Sequence, residues 1–179
     1  MKPKILLTSF QTWLPHQKSN SSDDILAEIQ KLNYSSLASL FFLRNLPVNI
    51  ELASHQLIDE IKRIQPEVII CCGMAEKRKK LTIESNASCQ NECLNTSIDL
   101  EEVTKVLTAT KISHNAGKFV CEGLYYQILK HIQLQKKDMH CIFVHVPLLT
   151  KSQSAIQKDF HSLILYFAHR IGKKGDIDR

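Results

Sequence analysis

The sequence predicts a single α/β domain built on a largely parallel sheet. Short apolar runs of strand length alternate with longer amphipathic runs of helix length along the chain. The runs at 68–72 and 141–146 are almost entirely apolar, as in central strands that are covered on both faces. With 179 residues, 44% of them hydrophobic, the chain can form one full core, and no repeat or linker divides it. We therefore expect one domain over residues 1–179 that ends in a polar tail at 172–179.

The order of elements follows from where each run stops. Strands are expected where apolar or β-branched residues run together up to a proline, glycine or turn, namely at 5–10, 37–46, 68–72, 106–112 and 141–146. Helices are expected from the capping segment 20–23 to about 32, at 50–65, from the turn after Asn115 to about 135, and at 152–169. Residues 81–105 show no clear period, apart from a short helix that begins near Asp99.

Composition and charge exclude several classes of function. No apolar run approaches the roughly 20 residues that span a bilayer, and the first apolar run is too short for a secretory signal, so we expect a cytoplasmic protein without membrane contact. The six cysteines are then expected to be free thiols, and Cys89 and Cys93 lack a second ligand pair for zinc. The basic run 77–80 has no interleaved aromatic residues, so no nucleic-acid partner is expected.

Cys121 lies in the stretch that points most directly to chemistry. Asn115-Ala-Gly117 is turn sequence, and Cys121 follows near the expected start of a helix. The unpaired N–H groups and the dipole at a helix N-terminus favour a thiolate, which is the nucleophilic form of cysteine. The alternative is a small apolar residue packed under a helix, as a lone cysteine usually is.

Two further residues could complete a cysteine-based site. Cysteine catalysis requires a histidine that exchanges protons with the thiol and an acceptor that orients the histidine. His145, at the end of an apolar strand, and Glu84, in the loop region after Gly73, could fill these roles beside Cys121. On spacing alone, a hydrogen-bonded core histidine is favoured over a catalytic histidine at position 145.

Four blocks of the chain carry a recognisable set of motifs. They read Ile-Leu-Leu-Thr-Ser-Phe with Trp13 and Asn-Ser-Ser; Pro-Glu-Val-Ile-Ile-Cys-Cys-Gly-Met-Ala continuing without a gap to Glu84; Asn-Ala-Gly-Lys-Phe-Val-Cys121-Glu-Gly-Leu-Tyr-Tyr; and Ile-Phe-Val-His145-Val-Pro. They resemble the pyroglutamyl peptidase I (pyrrolidone-carboxylate peptidase) family of cysteine peptidases, for which the Ala-Gly-x-Phe/Tyr-Val-Cys and Phe-x-His-x-Pro patterns are specific. Together the blocks span most of the chain from Ile5 to Pro147.

The resemblance implies a three-layer α/β/α sandwich with a largely parallel, mixed sheet, and no metal or cofactor. It implies removal of an N-terminal pyroglutamyl group from a small peptide with a blocked N-terminus, by a protein that often forms homo-oligomers. Cys121 would be the nucleophile, His145 the general acid/base and Glu84 its orienting carboxylate. The residues that would line the substrate pocket are Phe10, Met74, Trp13, Phe119 and Val120.

The chain departs from the family pattern at two places. The family's Gly-Phe-x-Pro-Phe-Gly is here Ser-Phe-Gln-Thr-Trp-Leu over residues 9–14, and residues 85–104 contain neither arginine nor lysine. The family places an oxyanion-stabilising arginine in the longer segment that corresponds to 85–104. Lys118, a residue of the run 77–80, or a backbone N–H near Cys121 could replace it. Two other functions remain open: a family member that binds without catalysis, and a nucleoside- or phosphate-binding enzyme, although the chain has no phosphate-loop pattern.

Overall fold

The computed structural model describes the backbone of residues 2–135, 138–149 and 154–177, and side chains within these ranges up to Ile171. The strands are Lys4–Phe10 (β1), Ser39–Leu46 (β2), Val68–Met74 (β3), Leu81–Glu84 (β4), Asn86–Cys89 (β5), Glu92–Asn95 (β6), Thr110–Ser113 (β7) and His140–Val146 (β8). The helices are Ser21–Gln30 (α1), Ile50–Ile64 (α2), Leu100–Thr104 (α3), Val120–Gln135 (α4) and Ser154–Ile177 (α5). Within the described ranges, none of the helices combines the length and the apolar character needed to cross a bilayer.

Six strands form one mixed sheet in the order β2-β1-β3-β8-β4-β7. Strands β2, β1, β3 and β8 are mutually parallel, whereas β4 runs antiparallel to β8 and parallel to β7. Strands β5 and β6 form a separate antiparallel hairpin. The predicted α/β fold with a largely parallel, mixed sheet is confirmed.

The sheet has an apolar cluster on each face, which makes the fold a three-layer sandwich. On one face, α1 and α5 contribute Leu26 and Phe160, and on the other, α2 and α4 contribute Leu57 and Leu124. All four side chains are completely buried, and burying a side chain of this size stabilises the fold by about 1.5–3 kcal/mol. The central strands touch both clusters, which is why their sequences are apolar without alternation.

The strand expected over 106–112 begins later, at Thr110. The carboxylate of Asp159 on α5 accepts hydrogen bonds from the backbone N–H groups of Thr108 (3.0 Å) and Ala109 (2.7 Å) and from the hydroxyl of Thr110 (2.6 Å). A backbone N–H that donates to a side chain is not available to a sheet ladder. The prediction was therefore wrong for residues 106–109, and Val106 is half exposed.

The other differences concern short elements and element ends. Strands β4, β5 and β6 have four residues each, too few to show a period in the sequence. The short helix near Asp99 is confirmed as α3, with Asp99 Oδ1 accepting from the N–H of Glu102. Helix α5 continues beyond the expected end at His169, so residues 172–177 of the expected tail are helical. Its expected start at residue 152 lies outside the described residues.

Candidate active site

One edge of the sheet gathers chain segments that are far apart in sequence. Because β1, β3 and β8 are parallel, their carboxyl ends at Phe10, Met74 and Val146 lie at the same edge. Helix α1 begins there, since the hydroxyl of Ser21 donates to the carbonyl of Val146 at 3.0 Å. Val120, the first residue of α4, lines the same cavity as Phe10 and Met74.

Glu84 and His145 form a buried pair at this edge. Nδ1 of His145 lies 2.8 Å from Oε1 of Glu84, and the two residues are 5% and 0% exposed. On the antiparallel strands β4 and β8, Thr82 stands opposite His145 and Glu84 opposite Phe143, so the carboxylate reaches the imidazole diagonally on one face of the sheet. The expectation that Glu84 comes from a loop was wrong, because it ends a strand.

The Glu84 carboxylate is held in its charged form. Burial opposes ionisation, but the contacts with His145, with Ser113 and, least of the three, with Arg78 outweigh burial, so that the pKa of Glu84 is lowered from its ordinary value of 4.5. Because the carboxylate accepts from Nδ1, the ring nitrogen that remains to exchange a proton with another group is Nε2.

Cys121 is the second residue of α4, and its sulfur rests on the backbone of Gly73. Gly73 and His145 are paired positions on β3 and β8. A Cβ atom at Gly73 would lie 2.7 Å from Sγ of Cys121 and 3.0 Å from Cζ of Phe143, so only glycine leaves room for the thiol. The turn before α4 is built as expected, with Gly117 at φ 98° and its N–H bonded to Oδ1 of Asn115 at 3.0 Å.

The expectation that the helix N-terminus favours a thiolate was wrong for the free protein. Burial, with smaller contributions from the neighbouring Cys71 and Glu84, raises the pKa of the Cys121 thiol to about 12. The charge of Arg78 and a hydrogen bond from the backbone of Cys121 lower this pKa, but by less than burial raises it. In the described part of the chain, no hydrogen bond joins Sγ to the imidazole of His145. The Cys121 thiol is therefore neutral at physiological pH.

Cys121 and His145 open onto a cavity of about 270 Å³. All five residues predicted to line a substrate pocket lie in its wall: Phe10, Trp13, Met74, Phe119 and Val120. The rings of Trp13 and Phe119 stand 5.1 Å apart, centroid to centroid, and both are about half exposed or more, so that they frame the mouth of the cavity. The structure thus brings the sequence-predicted residues together around one cavity, with Glu84 behind His145.

Three polar residues at this site were missed by the sequence interpretation. The Gln17 side chain accepts from the backbone N–H groups of Trp13 and Leu14 and donates to Glu76 Oε1 at 2.7 Å, and both Gln17 and Glu76 line the cavity. Arg78 bonds to Glu84 from outside the cavity. Their place in the sequence could have indicated two of them, since Glu76 and Arg78 come just after the carboxyl end of the central strand β3, where functional residues of α/β sheets gather.

We expect Gly73→Ala to disable the site while leaving the fold in place. The added methyl group displaces Sγ of Cys121 from its seat, and a misplacement of about 1 Å can lower a rate by about 100-fold. The rate of Cys121 alkylation and the thermal unfolding midpoint measure the two effects. Gly123→Ala is the matched control, because its methyl group meets the half-exposed Ile50 and not the sulfur. Equal alkylation rates in the two variants would contradict the placement of the thiol.

The known proteins that resemble this chain in sequence and in structure are named as pyroglutamyl or pyrrolidone-carboxylate peptidases. A sequence model described as pyroglutamyl peptidase matches residues 100–166, a segment that includes Cys121 and His145. The chain is 26% identical to the pyrrolidone-carboxylate peptidase of Oceanobacillus iheyensis over 90% of this chain and 95% of that protein. It is 25% identical to that of Bacillus subtilis over 92% and 86%. Among solved structures, pyroglutamyl peptidase I from Bacillus amyloliquefaciens superposes with a TM-score of 0.81 at 22% identity, over 94% of this chain and 96% of that chain.

Proposed function

We propose that the chain is a member of the pyroglutamyl peptidase family, which it resembles in sequence and in fold, and that it is a cysteine peptidase that removes an N-terminal pyroglutamyl group, or a similar small cyclic acyl group, from peptides. The observation that carries the proposal is the buried Glu84–His145 hydrogen bond of 2.8 Å at the wall of a cavity that also contains Cys121. In this proposal Cys121 is the nucleophile, His145 the general acid/base and Glu84 the residue that orients the imidazole.

The raised thiol pKa determines how the first step runs. Since Cys121 is neutral at rest, its proton passes to Nε2 of His145 as Sγ attacks the acyl carbonyl carbon, rather than from a preformed ion pair. Glu84 stabilises the imidazolium that forms. The imidazolium then protonates the leaving amine, the C–N bond breaks and a thioester remains on Cys121. Water, deprotonated by His145, hydrolyses the thioester and regenerates the thiol.

Backbone N–H groups at the start of α4 would stabilise the oxyanion that forms when Sγ attacks the acyl carbonyl group. The first N–H groups of a helix have no partner within the helix, and they point towards a group bound at its N-terminus. The run 77–80 is a weaker source of a donor, because Arg78 already bonds to Glu84 and to the carbonyl of Asn115. We therefore propose the backbone N–H of Cys121 in place of the missing arginine.

The cavity suits a small apolar ring. Its walls are mostly apolar, and its volume of about 270 Å³ is at the lower end of ligand-binding cavities. Phe10, Val120 and the Trp13–Phe119 pair offer apolar contact to the methylene groups of a five-membered ring. A protonated amino terminus loses hydration against the apolar part of this wall, and Glu76 is a lining carboxylate that could pair with it.

Release of a fluorescent arylamine from pyroglutamyl-arylamide tests the proposal. We expect release from the pyroglutamyl substrate and little from the prolyl and glutaminyl analogues, which lack the neutral lactam ring. Iodoacetamide should stop the reaction in a protein whose exposed Cys89 and Cys93 have been changed to serine. No release at high protein concentration would rule out the peptidase.

A binding protein without turnover is the second candidate. Two observations favour it: the thiol pKa is raised to about 12, and residues 85–104 contain no arginine or lysine. Titration calorimetry with a pyroglutamyl peptide, measured beside the arylamide assay, separates the two candidates. Binding without release supports the second function, and release supports the first.

A further inference from the structure

Arg78 forms hydrogen bonds both to Glu84 and to the turn that precedes Cys121. Its Nη1 donates to Oε1 of Glu84 at 2.5 Å and to the hydroxyl of Thr82, and its Nη2 donates to the backbone carbonyl of Asn115 at 2.9 Å. Glu84 is the partner of His145, and Asn115 opens the turn that leads into Cys121. One guanidinium group therefore bonds to both the carboxylate and the segment before the nucleophile.

The geometry requires an arginine. A guanidinium group has five N–H donors in a rigid plane, so it can bond to two acceptors in different directions at once. A lysine ammonium group at the same place is a point charge on a flexible stem and does not hold both acceptors in a fixed relation. The side chain of Arg78 is 27% exposed and that of Glu84 is 0% exposed, so the ion pair is shielded from water on the Glu84 side.

A single oxygen of Glu84, Oε1, forms hydrogen bonds with both Arg78 and the imidazole of His145. Oε1 of Glu84 lies 2.8 Å from Nδ1 of His145 and 2.5 Å from Nη1 of Arg78. Arg78 thus limits how the carboxylate can rotate, and its charge offsets part of the attraction between Glu84 and a protonated His145. Without the guanidinium group, the carboxylate would be free to turn away from Nδ1 of His145.

We propose that Arg78 is a positioning residue for the reaction proposed above: it fixes the Glu84 carboxylate against His145 and, through the Asn115 carbonyl, fixes the turn that places Cys121. The inference rests on the proposed function for its kinetic consequences, but its effect on the thiol can be measured without any substrate. The titratable groups that face one another here are Cys71 on β3, Glu84 on β4, Cys121 on α4, His145 on β8 and Arg78 itself.

The test compares Arg78→Met and Arg78→Lys with Arg63→Met. Arg63 forms an ion pair of the same kind with Glu60, also at 2.5 Å, but on the exposed surface of α2. All variants carry Cys89→Ser and Cys93→Ser, so that iodoacetamide reports on Cys121 rather than on the exposed thiols. Thermal unfolding identifies any variant that fails to fold, and Arg78→Lys remains informative if Arg78→Met does not fold.

Two readouts follow from positioning and not from stability alone. Loss of the positive charge makes Cys121 harder to ionise, so its alkylation at a fixed pH should be slower in Arg78→Met than in Arg63→Met. In turnover, kcat should fall by up to about 100-fold with little change in KM, since Arg78 does not line the cavity. Arg78→Lys should lie between the two.

The possible results separate this inference from the function. An active wild type with Arg78→Met and Arg63→Met equal in alkylation rate and in kcat overturns the role of Arg78 and leaves the peptidase standing. A wild type without turnover, in which Arg78→Met still slows alkylation of Cys121, supports the link to the thiol and removes the peptidase.

Discussion

Replacing Cys121 by alanine is expected to abolish turnover of a pyroglutamyl-arylamide, with a loss on the order of 10⁶-fold or down to the detection limit. The alanine side chain cannot form the thioester, so only binding and the backbone donors remain. The added effect on the fold is small, because Sγ meets the backbone of Gly73 and leaves only a small space when it is removed. Initial rates and thermal unfolding of the wild type and the variant measure both quantities.

Cys89→Ser and Cys93→Ser are the matched controls for this prediction. Both residues are free and exposed on the β5–β6 hairpin, and neither lines the cavity. We expect both variants to keep wild-type rates. If Cys121→Ala retains turnover while a hairpin variant loses it, the nucleophile has been assigned to the wrong cysteine. Cys121→Ser is a stricter test of the nucleophile than Cys121→Ala. Its hydroxyl group is similar in size to the thiol and should keep the packing contacts of the side chain, but it should restore little of the rate.

The sequence predicted the architecture because strongly periodic and continuous apolar runs reflect burial on one or both faces. Strands β1, β3 and β8 and helices α1, α2 and α4 lie close to their expected positions. The sequence alone could not predict that β4 is a strand, because Leu81–Glu84 is only four residues long and follows a basic loop. The direction of β4 depends on its pairing with β8, which is a long-range property. The sequence alone therefore suggested a loop for Glu84.

For the site, the sequence predicted which residues meet but not their electrostatic state. Motif order indicated Cys121, His145 and Glu84, and the structure places the first two in one cavity wall with Glu84 behind them. The position of Cys121 near a helix start suggested a lowered thiol pKa, but the loss of hydration around its partly buried side chain outweighs the helix and raises the pKa. Burial depends on packing from several elements and has no signature within the local sequence.

Glu84→Gln is expected to lower kcat by about 10⁴-fold, the size of effect that follows when a triad's orienting carboxylate becomes an amide. Glutamine keeps the shape of the side chain, but its amide can donate to Nδ1 of His145. That arrangement favours the tautomer with the proton on Nε2, which cannot accept the proton of Cys121. The charge that stabilises the imidazolium is also lost. Single-turnover kinetics with the arylamide substrate locates the loss in the acylation step.

Glu92→Gln is the control for the loss of an ion-paired carboxylate near α4. Glu92 accepts from Lys130 at 2.7 Å on the exposed hairpin, away from the cavity, and exposed pairs of this kind contribute little to stability because water screens them. We expect this variant to keep its rate. If both variants lose kcat equally, the effect of Glu84 reflects a general loss of charge and not its contact with His145.

The pH dependence of stability gives an independent check on the Glu84 assignment. The folded-state pKa of Glu84 is lowered from 4.5, so its stabilising contribution is fully present above that value and is lost as the pH falls through the lower folded-state pKa. The difference in free energy of unfolding between wild type and Glu84→Gln should therefore be largest near neutral pH and shrink on acidification below about 4.5. Urea unfolding at a series of pH values measures that difference. A difference independent of pH would mean that the carboxylate contributes through packing alone, and that its charge does not act on His145.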